Sequence, residues 1–124
     1  MKKILIIEDE EALGKILQEE LGDEGFETKL VLEGGKAVFD AVKSFHPNLI
    51  LLDLLLPKMS GMDILKELKS DPEDKMIPII VLSNLDQDED IKKSLALGAE
   101  DYFVKSQHPV KEVIEKIKHY IIVK

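Results

Sequence analysis

An α/β fold, with a parallel five-stranded sheet between helices on both faces, is what this sequence predicts, and three observations lead there. Apolar runs at residues 4–7, 49–52 and 79–82 are continuous rather than alternating, the pattern of strands covered on both sides. Stretches with the apolar spacing of amphipathic helices separate them. The length of 124 residues suits one domain, residues 1–124, with a sizeable core.

The elements follow in order. The strand at Ile4 to Ile7 leads into a helix whose apolar positions are Leu13, Ile16, Leu17 and Leu21, closed by Gly22 and Gly25. Thr28 to Leu32 is more mixed and reads as an edge strand. Ala37, Val38, Ala41, Val42 and Phe45 mark a second helix, and Leu49 to Leu52 a central strand. Ser60 with Asp63 has the form of a capping box before Ile64, Leu65 and Leu68, and Asp71-Pro72 ends that helix. Pro78 stands at a strand start, where a missing N–H does least damage. Ile79 to Leu82 is the fourth strand. Ile91 and Leu95 mark a fourth helix, with Asp86 to Asp90 solvating and capping its start and Gly98 its end. Asp101 to Val104 is the fifth strand, and Val110, Val113, Ile114, Ile117 and Ile121 the apolar stripe of a fifth helix. Right-handed crossovers then distribute the helices over both faces.

Composition excludes several functions. Lys plus Arg number 17 against 25 Asp plus Glu, a net charge of −8, so the chain is expected to repel polyphosphate backbones and to bind no nucleic acid directly. The absence of cysteine excludes disulfide and thiolate chemistry and is compatible with a cytoplasmic location. Neither a signal peptide nor a membrane span is legible, so no membrane partner is expected.

The strand ends are polar. The first strand runs into Glu8-Asp9, the third into Asp53, the fourth into Ser83 and the fifth into Lys105. In an open parallel sheet these ends share one edge, where ligands bind. Two carboxylates about 4 Å apart repel by roughly 4 kcal/mol at an effective dielectric near 20, so the acids need a cation or must take up protons. A hard divalent ion held by carboxylates and waters, with positions left for phosphate oxygens, describes Mg²⁺, with Mn²⁺ an alternative. Such a site suits phosphoryl transfer, with Asp53 as nucleophile.

Four segments, IIEDEE, LILLDLLLPKMSG, VLSN and DYFVKS, with the order and spacing between them, resemble response-regulator receiver domains of the CheY-like superfamily across essentially the whole chain. The resemblance implies a flavodoxin-like doubly wound (βα)5 fold with strand order 2-1-3-4-5. It implies a two-component or phosphorelay component that takes a phosphoryl group from the phosphohistidine of a sensor histidine kinase or histidine phosphotransfer protein. It makes Asp53 the phosphoacceptor, and Glu8, Asp9, Asp53 and the Leu55 carbonyl the Mg²⁺ site. Ser83 and Lys105 become the groups that bind phosphoryl oxygens, and Tyr102 an aromatic whose ring turns inward when Ser83 moves. The implied output surface is the fourth helix, fifth strand and fifth helix, acting on an output protein, a linked output domain or a phosphorylation-dependent homodimer. A kinase would dock near the first helix and residues 106–109. By this reading the chain is a signalling phosphoacceptor rather than a turnover enzyme, and carries no output domain.

Four positions depart from the family pattern. Ser106 follows Lys105 where proline is usual, leaving a cis or trans peptide open. Asn84 follows Ser83 where a small residue is common. Leu55 and Leu85 are apolar where a polar side chain would orient an attacking water, so the acyl phosphate is expected to be long-lived. A flavodoxin is set aside because Glu8 to Glu11 would repel FMN phosphate, and a phosphohydrolase because Leu55 cannot act as general acid. A phosphorylation-independent interaction module is the alternative. His46, His108 and His119 are expected at the surface without chemistry, and Met59, Met62 and Met76 as gap fillers.

Overall fold

The computed structural model describes residues 1–121; the last three positions of the expected 1–124 domain lie outside them. The strands are β1 (Lys3–Ile7), β2 (Glu27–Val31), β3 (Leu49–Leu52), β4 (Ile79–Ser83) and β5 (Asp101–Val104). The helices are α1 (Glu11–Asp23), α2 (Lys36–Phe45), α3 (Gly61–Ser70), α4 (Asp88–Ala96) and α5 (Val110–Tyr120), with a 3₁₀ turn at Asp74–Met76. All pairings are parallel and the order is β2-β1-β3-β4-β5, a flavodoxin-like sheet.

Alternate residues of each strand serve opposite cores. Leu5, Ile7, Ile50, Leu52, Ile79 and Val81 pack with Val38, Val42, Ile64 and Leu65 of α2 and α3. Ile4, Ile6, Leu49, Leu51, Ile80 and Leu82 pack with Leu17, Leu21, Val113 and Ile117 of α1 and α5. Both faces of β1, β3 and β4 are thus withdrawn from water, which is why those strands read as unbroken apolar runs. Each fully buried aliphatic side chain contributes about 1.5–3 kcal/mol of transfer free energy. β2, exposed at alternate positions, is the expected edge.

Three helical expectations and one gap filler are corrected. Ile16 is 49% and Leu95 44% exposed, and Ala37 and Met76 are also at the surface. Leu13, Leu17 and Leu21 already define the buried stripe of α1, and Ile16 lies beside it. In α4 Ser94 is buried instead of Leu95, its hydroxyl donating to the Asp90 carbonyl at 2.8 Å, so a small polar side chain enters the core at little cost. Met76 belongs to the 3₁₀ turn, which Asp71 stabilises by accepting from the N–H groups of Glu73 and Asp74 at 2.8 and 3.1 Å. The Ser60 hydroxyl accepts from the Asp63 N–H at 3.2 Å, one half of the capping box. Asp88, Glu89 and Asp90 occupy the first turn of α4, but no side chain caps it.

Candidate phosphoacceptor site

Register places the site. Ile7 pairs with Leu52, and Ser83 with Val104. The next residues leave the ladder together: Glu8 N–H bonds the Val31 carbonyl, Asp53 N–H the Ile7 carbonyl and Lys105 N–H the Ser83 carbonyl, at 3.0, 2.9 and 2.9 Å. Backbone bonds to the neighbouring strand therefore fix the Cα positions of Glu8, Asp53 and Lys105 before any side chain interaction. Asp53 then ends its strand by turning, its Oδ1 accepting from the Leu55 N–H at 3.0 Å. Beyond it, Gly61 N–H returns to the Leu54 carbonyl at 2.9 Å and starts α3 against the strand.

Glu8 and Asp53 are buried and Asp9 is exposed, and these three offer carboxylate oxygens that all lie within 4.8 Å of one another. The Lys105 ammonium lies 2.8 Å from Asp53 Oδ2, 2.9 and 3.0 Å from the two oxygens of Glu8, and 3.2 Å from Glu10 Oε1. One lysine thus bridges two of the expected acids and a further one. Nothing in local sequence sets Glu10 apart from Glu11. The available signal is its position as N-cap of α1, where glutamate is a poor cap and makes no side-chain capping bond.

Desolvation dominates the electrostatics. Burial pushes the Glu8 carboxyl up to about 7 despite hydrogen bonds from the Glu10 N–H and Lys105, and the Asp53 charge adds to the rise. Burial by itself would lower the Lys105 pKa, but its bonds to Asp53 and Glu8 outweigh that and raise it, so it stays an ammonium. Folded protein then keeps the Glu8 proton between the ordinary value of 4.5 and about 7, where unfolded chain has lost it. Stability consequently falls as pH rises through that window. In EDTA, thermal unfolding is expected to show a loss on the order of 2–3 kcal/mol from pH 5 to pH 8, reduced in Glu8→Gln.

The remaining candidates line the same edge. Ser83 is fully buried and its hydroxyl accepts from the Leu85 N–H at 3.4 Å. The Tyr102 ring is already inside, its hydroxyl donating to the Leu85 carbonyl at 2.6 Å. Burial first, then the Asp90 and Asp53 charges, push that phenol up to about 12, so it remains a donor. Asn84 and Leu55 are exposed at the mouth and Leu85 is half-buried. The Lys105–Ser106 peptide is trans. His108 is half-buried rather than at the surface, with Nδ1 2.6 Å from Glu112 and its ring edge-on to Phe103.

A sheet with this strand order, carrying an acid cluster and a lysine at its carboxyl edge, defines a receiver. The chain matches the family of the response regulator receiver domain over residues 4–118 and belongs to it. It is 38% identical over 105 residues to the phosphate regulon transcriptional regulatory protein PhoB of Rhizobium meliloti, covering 85% of this chain and 46% of that protein. It is 34% identical to the DNA-binding response regulator MtrA of Mycolicibacterium smegmatis, covering 94% of this chain and 49% of that one. The chain spans about half the length of the curated relatives it matches. Among solved structures, the Mn²⁺-bound form of response regulator Rcp1 superposes with a TM-score of 0.83 at 32% identity, over 95% of this chain and 92% of that one.

These relatives correct the expectation that nucleic acid is no partner, because MtrA is by name a DNA-binding regulator. The net charge of −8 describes only the 124 residues summed. It carries no information about a protein of which such a chain is half. Among the described residues no helix is long and apolar enough to cross a membrane.

Proposed function

We propose that this chain is a phosphorylatable receiver that accepts a phosphoryl group on Asp53 from the phosphohistidine of a sensor kinase or phosphotransfer protein. The observation that carries it is the Asp53 carboxylate 2.8 Å from the Lys105 ammonium, within a cluster of acids spaced to share one ion. Glu8, Asp9, Asp53 and the Leu55 carbonyl would hold Mg²⁺, or Mn²⁺ in its place. The donor set fits, since carboxylates and a carbonyl are hard oxygen ligands. The ion supplies charge neutralisation for the phosphoryl oxygens.

An Asp53 carboxylate oxygen forms the new P–O bond as the P–N bond of the donor breaks, and the released imidazole nitrogen takes a proton from solvent. Lys105 binds one phosphoryl oxygen and Ser83, on leaving the Leu85 N–H, another. Moving a two-state equilibrium from 1:99 to 99:1 takes about 5.5 kcal/mol of differential interaction. A bound dianion with several charge-assisted bonds supports a shift of that order across α4, β5 and α5. The DNA-binding relatives support a DNA-directed output for the regulator in which this domain, proposed as residues 1–124, works from the cytoplasm. Such a domain signals rather than turning over substrate.

Incubation with acetyl phosphate is expected to add one phosphoryl unit in Mg²⁺ and none in EDTA, read as intact mass. No gain in Mg²⁺ would instead favour a phosphorylation-independent module. With apolar Leu55 and Leu85 beside the acceptor, the adduct is expected to persist for minutes after the donor is removed; loss within seconds would show that these leucines do not hinder water.

A further inference from the structure

Lys105 is over-committed. An ammonium has three N–H donors, and here carboxylates take all of them: Asp53, Glu8 and Glu10. The bond to Asp53 passes to the phosphoryl group only once that group is attached; while the phosphodonor approaches, Lys105 can reach its oxygens only if another carboxylate lets go. The side chains of Glu8 and Asp53 are each 2% exposed, whereas that of Glu10 is 55% exposed. Glu8 and Asp53 are held inside the pocket whichever cation they face, whereas Glu10 needs only to swing into solvent to leave Lys105. Glu10 is therefore the partner Lys105 can exchange at least cost.

A second observation is independent of that count. Glu10 is the N-cap of α1 in extended conformation, the place where a side chain normally accepts from the helix N-terminus, yet it makes no such bond. Its carboxylate reaches across to Lys105, just after β5 and 95 residues away in sequence. Helix capping is thus left unused in favour of a contact in the acceptor pocket.

We propose that Glu10 is a positioning residue that holds Lys105 back in the unphosphorylated protein, competing with the incoming phosphoryl group for its third donor. This rests on the receiver reading above. Glu10 touches neither Asp53 nor the transferred group and acts only through Lys105. Its removal should free the ammonium and speed phosphorylation by roughly three- to fivefold, the upper end of the scale set by releasing a half-exposed ion pair.

The test is the rate of mass gain from acetyl phosphate in saturating Mg²⁺ for wild type, Glu10→Gln, Glu10→Ser and Glu11→Gln. Serine can cap α1 where glutamate does not, so Glu10→Ser should be faster while melting no lower than wild type. Glu11 is an equally exposed acid one residue on, paired with Lys15 at 3.6 Å, and its substitution should leave the rate within about twofold if bulk charge is minor. The ¹⁵N signal of the Lys105 ammonium should move in both Glu10 variants and stay in Glu11→Gln. Wild-type rates in both Glu10 variants, or an equal gain in Glu11→Gln, would overturn the assignment while leaving the receiver reading intact. If wild type itself takes no phosphoryl group, the receiver reading fails and takes this inference with it.

Discussion

Asp53→Asn is expected to abolish the mass gain from acetyl phosphate while leaving the metal-free protein at least as stable as wild type at pH 8. The first outcome follows from chemistry, since an amide oxygen lacks the nucleophilic charge that forms the P–O bond. The second follows from the pocket. In wild type, Asp53 and Glu8 are both buried on one ammonium, and the Asp53 charge adds to the desolvation that already pushes Glu8 up to about 7. Asparagine keeps one oxygen, which can accept from the Leu55 N–H or from Lys105 but not from both, and it removes the repulsion between the two buried charges. Glu8 then ionises more easily, so the stability lost between pH 5 and 8 shrinks as well. Intact mass and thermal unfolding in EDTA check both parts. A phosphoryl gain by Asp53→Asn would place the acceptor elsewhere, and a melting temperature well below wild type would show that the Asp53 charge stabilises the empty pocket.

Gly61→Ala is expected to destabilise the fold by about 3 kcal/mol or more, lowering the melting temperature by roughly 10 °C for a domain of this size. A Cβ on Gly61 would lie 2.1 Å from the Asp53 carbonyl oxygen and 2.6 Å from Leu54 Cα. Those are backbone atoms of the turn at Asp53 and cannot rotate away. Relief requires α3 to lift from β3, breaking the 2.9 Å bond from Gly61 N–H to the Leu54 carbonyl and shifting Asp53 with it. Gly22→Ala is the matched control, because a Cβ there meets nothing within 4 Å and alanine favours helix by up to about 1 kcal/mol. Thermal unfolding of the two variants separates a contact specific to the acceptor turn from a general intolerance of added bulk.

What sequence made legible was whatever depends on backbone periodicity. Unbroken apolar runs located β1, β3 and β4, and reading off the residue after each apolar run placed Glu8, Asp53, Ser83 and Lys105 at one edge, where the register brings them. Side-chain choices among near neighbours were not legible. Ser94 and Leu95 both lie within reach of the α4 stripe, and only a hydroxyl able to bond Asp90 decides which is buried. Glu10 and Glu11 are chemically alike, yet Glu10, at the N-cap of α1, is the one that reaches Lys105. Gly14 carried no signal either, although a Cβ there would press on the Leu30 side chain at 2.7 Å. The nucleic-acid expectation failed for another reason: charge summed over a chain is silent about any polypeptide joined to it.

One residue links the two hydroxyls at the pocket's far wall. Leu85 gives its N–H to Ser83 and its carbonyl to Tyr102, so the loop after β4 hangs between two hooks of unequal grip, 3.4 Å on one side and 2.6 Å on the other. Unhooking the weaker side leaves the segment suspended from the aromatic alone, free to swivel about it. On the receiver reading proposed above, the weakness of the Ser83 contact is what lets a phosphoryl oxygen claim that hydroxyl without first breaking the tighter bond to Tyr102.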